Sequence, residues 1–491
     1  MGKNTISRRS LSFFSLLAAL SLGGYLAASA WSYRLGFPLD DAWIHQTYAR
    51  NLALRGEWSY IPGQPSAGST APLWSALLAV GYVLRIGPYL WTYLLGGLLL
   101  VVLASTGVFA FHKLNPELPD WAPWVGVLLI LEWHLVWSAG SGMETLLFAI
   151  LMLVGLAWIA GGQVNWLRLG LLIGLSVWVR PDGITLLGPA AMLLLFSRRP
   201  WKDRLRSAWW LVFGVALFFL PYLLFNRLLA GAWWPNTFFA KQAEYEIQRQ
   251  QALIARFLNL GALPLVGVGV VLLPGFLYVI LRALPGRKWG LLAGGLWFAG
   301  YVFLYAWRLP VTYQHGRYLI PAMPVLLVWG ASGLARYVSE AQGGRGAWVL
   351  RQSWLAVTVV ILITFWGLGA QAFSQDVSVI ESEMVDTARW LATNSPPGTY
   401  VAAHDIGALG FYGNRRILDL AGLISPRVIP FIRDEDKLKM FLDDQQVDYL
   451  VTFPGWYPQL VEGVDVVWSS MGKFSPSQGG ENMAVYRWSS P

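Results

Sequence analysis

Long apolar runs constrain this chain more than any other feature of its sequence. The first extends from Leu11 to Trp31, and similar runs recur until about residue 373. A run of about 18 or more apolar residues can cross the hydrocarbon core of a bilayer as a helix. Hydrophobic residues make up 56% of the 491-residue chain and charged residues only 13%. The sequence therefore predicts an α-helical polytopic membrane protein rather than one large soluble core.

The runs and the basic residues between them predict eleven transmembrane helices. The predicted spans are 11–31, 89–111, 121–139, 144–160, 166–180, 183–197, 208–229, 262–281, 289–307, 318–338 and 354–373. The segment 71–87 is apolar but short. If it does not cross, the basic clusters at 197–206 and 282–288 fall on the cytoplasmic side, as the positive-inside rule expects. We therefore predict that 41–55 and 71–87 form amphipathic or re-entrant helices along the outer interface.

The N-terminal segment is similar in composition to a secretory signal peptide. Arg8 and Arg9 precede its apolar stretch, and "AASA" stands near its end. The stretch is nevertheless long enough to span, so we predict an uncleaved first helix. Together with Lys3, the two arginines place the N-terminus in the cytoplasm.

The character of the chain changes after about Ser374. Within 375–491, "MVDTARWLATN" and "DEDKLKMFLDDQQ" have helical periodicity, whereas "TYVAAHDIG", "RILDLAG" and "VDYLVTF" are typical of strands. We predict a membrane domain over 1–374 and a small α/β domain over 375–491, which the odd number of spans places outside the cell. The chain has no cysteine, which excludes disulfides and thiolate chemistry.

The net charge of +9 does not indicate nucleic-acid binding. The lysines and arginines occur in short clusters between apolar runs, where they are better explained as determinants of membrane topology. We therefore predict membrane lipid, and no nucleic acid, as a partner.

An acidic pair, Asp40 and Asp41, follows the first span at its outer end. Asp40 stands at the N-cap position of a predicted helix, and capping alone is one explanation of this residue. Capping does not account for the second acid, or for His45 one turn further along the helix. Carboxylates at a helix N-terminus tend to remain ionised, which suits proton acceptance from a hydroxyl or coordination of a hard cation. The residues alone therefore leave two explanations of Asp40 and Asp41 open, helix capping and a role in catalysis.

The other unusual polar segments fall on the same outer face under this topology. They supply the cations Arg180, Lys241, His315 and Arg317, which could bind a phosphate or diphosphate. The alternative is that these cations meet lipid head groups. Other polar residues have structural explanations: Glu144 could cap a helix, Glu132 and His134 could bond neighbouring helices, and His404 and Asp405 could serve a turn at a strand end.

The segment "DDAWIHQTYARNLALRGEWSYIPGQPSAGSTAPLW" resembles the first external loop of the GT-C integral-membrane glycosyltransferases. The resemblance continues in order through "SGMET", "VRPDG", "WWPNTFFAK", "GRYLIPAMPVL" and "HDIGALGFYGNRRILDLAGL". Within this family, the sequence is similar to the branch of bacterial protein mannosyltransferases and lipid A aminoarabinose transferases. The DDA, PNT-AK and DIG-LG-DLAGL elements most resemble the mycobacterial terminal arabinofuranosyltransferase group.

This resemblance implies a GT-C fold and a sugar donor carried on a polyprenyl phosphate at the outer leaflet of the plasma or inner membrane. The acceptor would be a hydroxyl of a cell-envelope glycan, lipid or protein, and the sugar would be transferred with inversion. Asp40 would be the general base and Asp41 would support it or the acceptor, while Arg180, Lys241 and Arg317 would steady the leaving phosphate. The predicted substrate-binding residues are His45, Arg50, Ser69, Thr70, Glu144, Arg180, Asp182, Asn236, Lys241, His315 and Arg317.

The resemblance predicts no cofactor, although a divalent cation stays open because oligosaccharyltransferase-like relatives require one. Two other functions also stay open: a transporter or flippase of a lipid-linked saccharide, and a non-catalytic polysaccharide-binding protein. Transporters tend to place charges near the bilayer midplane and to contain internal repeats. Here the acids lie at the outer edge and no repeat is visible, which favours the enzyme.

Overall fold

A computed structural model describes residues 7–340 and 344–488 of the chain. Lys3, on which the predicted orientation partly depends, lies outside the described residues. The N-terminal part is helical, with a short hairpin, and the C-terminal part is built around a mixed sheet. The helices of the N-terminal part are α1 Arg8–Ser32, α2 Asp41–Arg55, α3 Pro72–Val83, α4 Pro88–Leu114, α5 Ala122–Leu131, α6 Trp133–Gly140, α7 Thr145–Ala160, α8 Trp166–Val177, α9 Leu187–Leu195, α10 Trp201–Ala230, α11 Asn236–Glu244, α12 Leu253–Ala262, α13 Val268–Ala283, α14 Trp289–Arg308, the kinked turn α15 Tyr313–Gly316, α16 Met323–Glu340 and α17 Arg345–Val379.

The predicted number of spans is not confirmed. In the described part of the chain, six helices are long and apolar enough to cross a membrane, or eight if two bent helix pairs each count as one span. The predicted span 144–160 corresponds to α7, which is 16 residues long, and 166–180 to α8, which is 12 residues long. Pro181 follows α8 closely and starts a 3₁₀ turn at the predicted connection. Eleven spans therefore stay a prediction, whereas the polytopic helical architecture is confirmed.

Two of the apolar elements are bent. A break between α5 and α6 bends that pair by 55° at Glu132, whose carboxylate accepts the backbone N–H of Leu135 and lies 2.8 Å from His134 Nδ1. The pair formed by α12 and α13 bends by 107°. Gly267, at that break, has φ of +93°, a conformation that disfavours side chains larger than hydrogen.

The loop between α1 and α4, the predicted first external loop, contains the two helices predicted for it, α2 and α3, joined through the hairpin β1 Ser59–Ile61 and β2 Gln64–Pro65. The helix α2 is not a surface helix, because almost all of its first nine side chains are buried. Its Ala49 packs with Trp74 and Leu78 of α3, and its Trp43 contacts the rings of Phe411 and Tyr412 in the C-terminal part. The loop therefore lies between the helical bundle and the C-terminal part and packs against the C-terminal part.

The connection between the two parts is helical. The helix α17 continues beyond the predicted boundary at 374, and a π-helical turn over Ile380–Val385 joins it to α18 Asp386–Asn394. Arg34, just after α1, forms ion pairs with Glu381 at 2.8 Å and with Asp386 at 2.7 Å. The division at 374/375 stays a prediction, since no chain break marks it.

The C-terminal part is an α/β unit around a five-stranded sheet. Its strands are β3 Tyr400–Ala403, β4 Arg416–Asp419, β5 Tyr449–Thr452, β6 Val466–Ser469 and β7 Ala484–Arg487, and its further helices are α19 Glu435–Gln445, α20 Pro458–Val461 and α21 Phe474–Ser477. The order is β4-β3-β5-β7-β6, in which β3 is parallel to β4 and β5, and β7 is antiparallel to β5 and β6. The three predicted strands and both predicted helices are present. The strands β6 and β7 were not predicted.

Candidate active site

A cavity of about 420 Å³ lies where the loop between α1 and α4 meets the ends of several helices and the C-terminal part. It collects residues that are far apart in sequence. The polar residues on its wall are Asp41, His45, Thr70, Glu144, Thr145, Arg180, Asp182, Thr185, Thr237, Lys241, Gln242, Tyr305, Arg308, Arg317 and Tyr318. Eight of them were predicted to bind substrate or to act in catalysis, Asp41 among them, so the fold brings most of the predicted site together.

Asp41, the first residue of α2, faces this cavity. Its Oδ2 lies 2.6 Å from the Arg317 guanidinium. Burial raises the pKa of Asp41, but the positive charges of Arg317 and Lys241 lower it by more. The net pKa of Asp41 is therefore well below the usual range of an aspartate. The cavity therefore presents an ionised carboxylate.

Asp40 precedes α2 and is not on the cavity wall. Its two carboxylate oxygens accept the backbone N–H groups of Gly407 and Ala408 in the C-terminal part, at 2.6 and 2.8 Å. Gly407 suits this contact because a Cβ there would lie 2.0 Å from the Asp40 carbonyl oxygen. Burial and the neighbouring Asp405 raise the pKa of Asp40 to about 8, despite the two N–H groups that lower it. The side chain of Asp40 therefore joins the first external loop to the C-terminal part.

Two cations lie beside Asp41. Lys241 comes from α11, and Arg317 follows the sharp turn at Tyr313–Gly316. Burial lowers the pKa of Lys241, but Tyr318, Asp41 and Glu244 raise it more, so the amine remains protonated. The Nε of Arg317 is buried without a hydrogen-bond partner, as is the hydroxyl of Thr237 on α11. This side of the cavity has donors available to an anion.

A second charged group of the lining surrounds Arg180. The guanidinium of Arg180 lies 3.5 Å from Glu144 and 3.4 Å from Asp182, and it donates to the Tyr305 hydroxyl at 2.9 Å. The Tyr305 hydroxyl in turn donates to Asp182. One oxygen of Glu144 is buried without a hydrogen-bond partner. These residues form a network that fixes Arg180 in the cavity wall.

His45 reaches the cavity from α2, supported by serines behind it. Its Nδ1 lies 3.1 Å from the Ser75 hydroxyl and 3.2 Å from that of Ser69, and its Nε2 lies 3.6 Å from Glu144. Burial lowers the pKa of His45, which keeps the imidazole neutral. Ser69, predicted to bind substrate, is therefore placed behind His45, whereas Thr70 lies on the wall.

Three other predicted substrate-binding residues lie away from the wall. Arg50 donates to the carbonyl oxygens of Phe411 and Gly410 in the C-terminal part. The amide of Asn236 donates to the Leu423 carbonyl at 3.4 Å. His315 lies 2.8 Å from Asp376 of α17. Each predicted binding group is instead occupied by the protein itself, and the predicted role of each stays untested.

Several residues of the site were not predicted. Tyr305 and Tyr318 lie on the wall but fall within the predicted spans 289–307 and 318–338, and Arg308, also on the wall, directly follows the first of these spans. Thr237 and Gln242 could have been found from their helical spacing to Lys241, since positions 237, 241 and 242 share one face of α11. Asp405, expected to serve only a turn, has a buried oxygen without a hydrogen-bond partner and contributes to the raised pKa of Asp40.

The acidic residues do not fit a divalent-cation site. Within the described residues, no group of three or more His, Asp or Glu side chains is arranged to hold a metal ion. The acidic pair is divided, because Asp41 pairs with Arg317 while both oxygens of Asp40 accept backbone N–H groups.

The long helices, the loop with its acidic pair and the C-terminal α/β unit together have the overall fold of two solved structures, which is the predicted GT-C fold. The chain is similar to the structure of ArnT from Cupriavidus metallidurans bound to undecaprenyl phosphate, with a TM-score of 0.63 and 16% identity over 97% of this chain and 98% of that one. It is also similar to the archaeal oligosaccharyltransferase AglB from Archaeoglobus fulgidus in complex with an inhibitory peptide and a dolichol-phosphate, with a TM-score of 0.61 and 13% identity over 91% of this chain and 69% of that one. These likenesses confirm the predicted fold and a membrane protein; at such identities they concern the fold alone.

Other comparisons say less about function. The arabinofuranosyltransferase AftD from Mycobacteria covers 99% of this chain at 17% identity, but this chain covers 42% of AftD and the TM-score of 0.48 is too low to carry an argument. A domain of unknown function, DUF8728, matches residues 374–486. This match begins at the predicted domain boundary. No curated protein matches the sequence.

Proposed function

We propose that this protein is a glycosyltransferase that moves a sugar from a polyprenyl-phosphate donor to a hydroxyl group of a cell-envelope acceptor. The observation that carries the proposal is the cavity itself, in which an ionised carboxylate, Asp41, lies beside the buried cations Lys241 and Arg317. A transferase of this kind needs a proton acceptor and cationic groups for a leaving phosphate. The shared fold with ArnT, solved with undecaprenyl phosphate, supports the same class of donor.

Arg317, Lys241 and Thr237 are our candidates for holding the donor phosphate. The unpartnered Nε of Arg317 and hydroxyl of Thr237 can donate to phosphate oxygens without breaking an existing hydrogen bond. The lysine adds a point charge beside them. Apolar side chains complete the cavity wall around these groups, namely Trp234, Phe238, Leu304 and Leu309. Such a wall suits the first units of a polyprenyl chain attached to the phosphate.

We assign the role of general base to Asp41. The acceptor hydroxyl would lose its proton to the Asp41 carboxylate as the hydroxyl oxygen attacks C1 of the sugar. The bond between C1 and the phosphate oxygen would break, and that oxygen would leave with the electron pair onto a phosphate stabilised by Lys241 and Arg317. Before the donor binds, these cations make Asp41 a weak base. A donor phosphate that draws them away raises the pKa of Asp41, so the base is activated when donor is present.

Asp40 is the alternative base, because it is the residue that the family resemblance indicates. Its position between two backbone N–H groups, away from the cavity wall, favours Asp41 instead. The orientation that accompanies this proposal has the N-terminus in the cytoplasm and the cavity and C-terminal part on the outer side of the cell membrane.

The proposal can be tested with purified protein in nanodiscs and a panel of polyprenyl-phosphate sugars. Mass spectrometry would follow loss of the sugar-bearing donor and release of free polyprenyl phosphate, with and without added envelope glycans, lipids and peptides as acceptors. We expect turnover of one donor, abolished in Asp41→Asn. If donor binds without cleavage but crosses vesicle membranes in the presence of the protein, the transporter or flippase is correct and the transferase is excluded.

A further inference from the structure

The helix α11 has two faces with different surroundings. One face lines the cavity, through Thr237, Phe238, Lys241 and Gln242. The other face, with Asn236, Ala240 and Glu244, lies against the C-terminal part. Positions 236, 240 and 244 recur every four residues, so they share one side of the helix. The helix that carries the proposed phosphate-binding lysine is thus packed along the neighbouring side by another part of the chain.

Packing between α11 and the C-terminal part is close. Ala240 is fully buried in an apolar cluster that includes Leu423. The Asn236 amide donates to the carbonyl of the same Leu423, and the turn at Pro426–Phe431 also packs on α11. Gly422 has φ of +76°, and a Cβ there would lie 3.6 Å from the Ala240 side chain. The segment around Leu423 therefore fits against one side of the helix.

One charged contact anchors the C-terminal end of α11. Glu244, the last residue of the helix, lies 3.3 Å from His404 Nε2, and both side chains are only 15% exposed. The Nδ1 of His404 lies 2.7 Å from the Tyr457 hydroxyl, and the ring of Trp456 contacts the imidazole edge to face. His404 is therefore held on one side by the C-terminal part and contacts α11 with its other nitrogen.

The charged groups around His404 favour its protonated form. Burial lowers the pKa of His404, but Glu244, Asp405 and Asp419 raise it more, so the net shift is upward. Burial raises the pKa of Glu244, but Lys241 and His404 lower it more, so the net shift is downward. The contact is thus an ion pair, and Lys241 lies one helical turn before Glu244 on α11.

We propose that His404 is a positioning residue for donor binding: through Glu244 it holds α11 so that Lys241 and Thr237 face the donor phosphate. The C-terminal part is then a component of the donor site, although its contact with the cavity wall is limited to Leu423 among the described residues. This inference rests on the proposed function, because it names what fixes the phosphate-binding helix.

The first test measures α11 without any donor. Hydrogen exchange of backbone amides in 236–244 would be followed by mass spectrometry on the full-length protein in nanodiscs, for wild type, His404→Gln and Glu244→Gln. We expect both variants to exchange faster in this segment than wild type, with unchanged exchange in the strands of the sheet. Unchanged exchange in 236–244 would overturn the inference, whatever the protein does with a donor.

The second test measures affinity for undecaprenyl phosphate, used as the probe. A charge-assisted hydrogen bond of this kind corresponds to about a tenfold change in an equilibrium constant. We therefore expect about tenfold weaker binding in His404→Gln, a similar loss in Glu244→Gln, and no further loss in the double variant, because both act through one contact. Additive losses would mean that His404 acts independently of Glu244 and would overturn the proposal.

The pH dependence and kinetics separate positioning from a general loss of structure. Because the pKa of His404 is raised, its ion pair is complete below the ordinary histidine pKa and is lost as pH rises through the raised value. The difference in affinity between wild type and His404→Gln should therefore shrink as pH rises. In turnover assays the variant should raise KM for the donor more than it lowers kcat. A constant difference across pH, or a loss confined to kcat, would contradict positioning.

These readouts keep the inference separate from the proposed function. If wild type neither binds undecaprenyl phosphate nor cleaves any donor, the proposed donor class fails, while the exchange of 236–244 still decides whether His404 holds α11. If wild type binds the probe and both variants loosen α11 without a change in affinity, the proposed function stands and the role of His404 in donor binding is wrong.

Discussion

Asp41 and Asp40 are adjacent in sequence but belong to electrostatically opposite regions of the molecule. Asp41 faces the cavity beside Lys241 and Arg317, which keep it ionised. Asp40 faces the C-terminal part beside Asp405, where burial and the second carboxylate favour its protonated form. Successive residues at a helix start point in different directions, so a single step along the chain moves a carboxylate from a cation-rich wall to an acidic interface. The pair therefore divides two positions: Asp41 faces the cavity in which we propose that substrate binds, and Asp40 attaches the C-terminal part.

The largest expected effect belongs to Asp41→Asn. If Asp41 is the general base, turnover of the donor should fall at least ~10²-fold, because the amide cannot accept the hydroxyl proton. The protein should still fold, which size-exclusion chromatography and thermal unfolding in nanodiscs would verify. Asp40→Asn is the matched control, with a loss of less than about tenfold expected. Near-normal turnover in Asp41→Asn together with an inactive Asp40→Asn would transfer the role of base to Asp40.

Arg317→Lys should come next in size. The substitution keeps the positive charge but removes the planar guanidinium that can contact two phosphate oxygens. We expect undecaprenyl phosphate to bind on the order of tenfold more weakly, measured as a Kd in nanodiscs. Arg308→Lys, also on the cavity wall but not an ion-pair partner of Asp41, serves as the comparison variant. Equal losses in the two variants would mean that the cavity attracts the phosphate by general charge rather than through Arg317.

Asp40→Ala should act on stability more than on chemistry. It leaves the backbone N–H groups of Gly407 and Ala408 without their carboxylate partner inside a buried interface. Removing one partner of such a contact costs about 1–3 kcal/mol. We expect a lower Tm and faster proteolysis of the C-terminal part under limited protease treatment. If the Tm is unchanged while turnover is abolished, the attachment role of Asp40 is wrong.

The last expected effect is a pH dependence of stability. The pKa of Asp40 is raised to about 8, so its protonated form stabilises the fold; that contribution is complete below the ordinary aspartate pKa of about 4 and is lost as pH rises through about 8. Wild-type Tm should therefore decline between about pH 4 and about pH 8. Asp405→Asn removes the neighbouring negative charge and should flatten this decline. An equal decline in the variant would show that Asp405 does not control the titration of Asp40.

Much of the fold could be predicted from the sequence because its signals are local. Apolar runs identify membrane helices by length, and strand periodicity identified β3, β4 and β5. The strands β6 and β7, four residues each, are too short to give such a signal. The number of spans was less accessible because Glu132 breaks the predicted span 121–139 into two bent helices, which apolar composition alone does not show.

The sequence allowed most residues of the site to be predicted, but not their arrangement in space. Asp41, Arg180, Lys241 and Arg317 could be selected because charged residues at the ends of apolar runs are rare and conspicuous. Which carboxylate faces the cavity depends on how the C-terminal part, more than 360 residues later, docks on Asp40. Likewise, Asn236 and Arg50 bind backbone carbonyls that are distant in sequence. Such tertiary contacts leave no periodic or compositional trace.

The uninterrupted helical path from α17 through the π-helical turn into α18 makes the C-terminal part mechanically dependent on the lipid bilayer. A helix of 35 residues is a stiff rod of about 52 Å. A rigid-body shift of the C-terminal part must therefore tilt this rod in the bilayer or bend it at Ile380–Val385, where the helical hydrogen bonding is already irregular. Bilayer thickness affects the tilt of a spanning helix. A change in thickness would therefore change the distance between Asp40 and its partners Gly407 and Ala408.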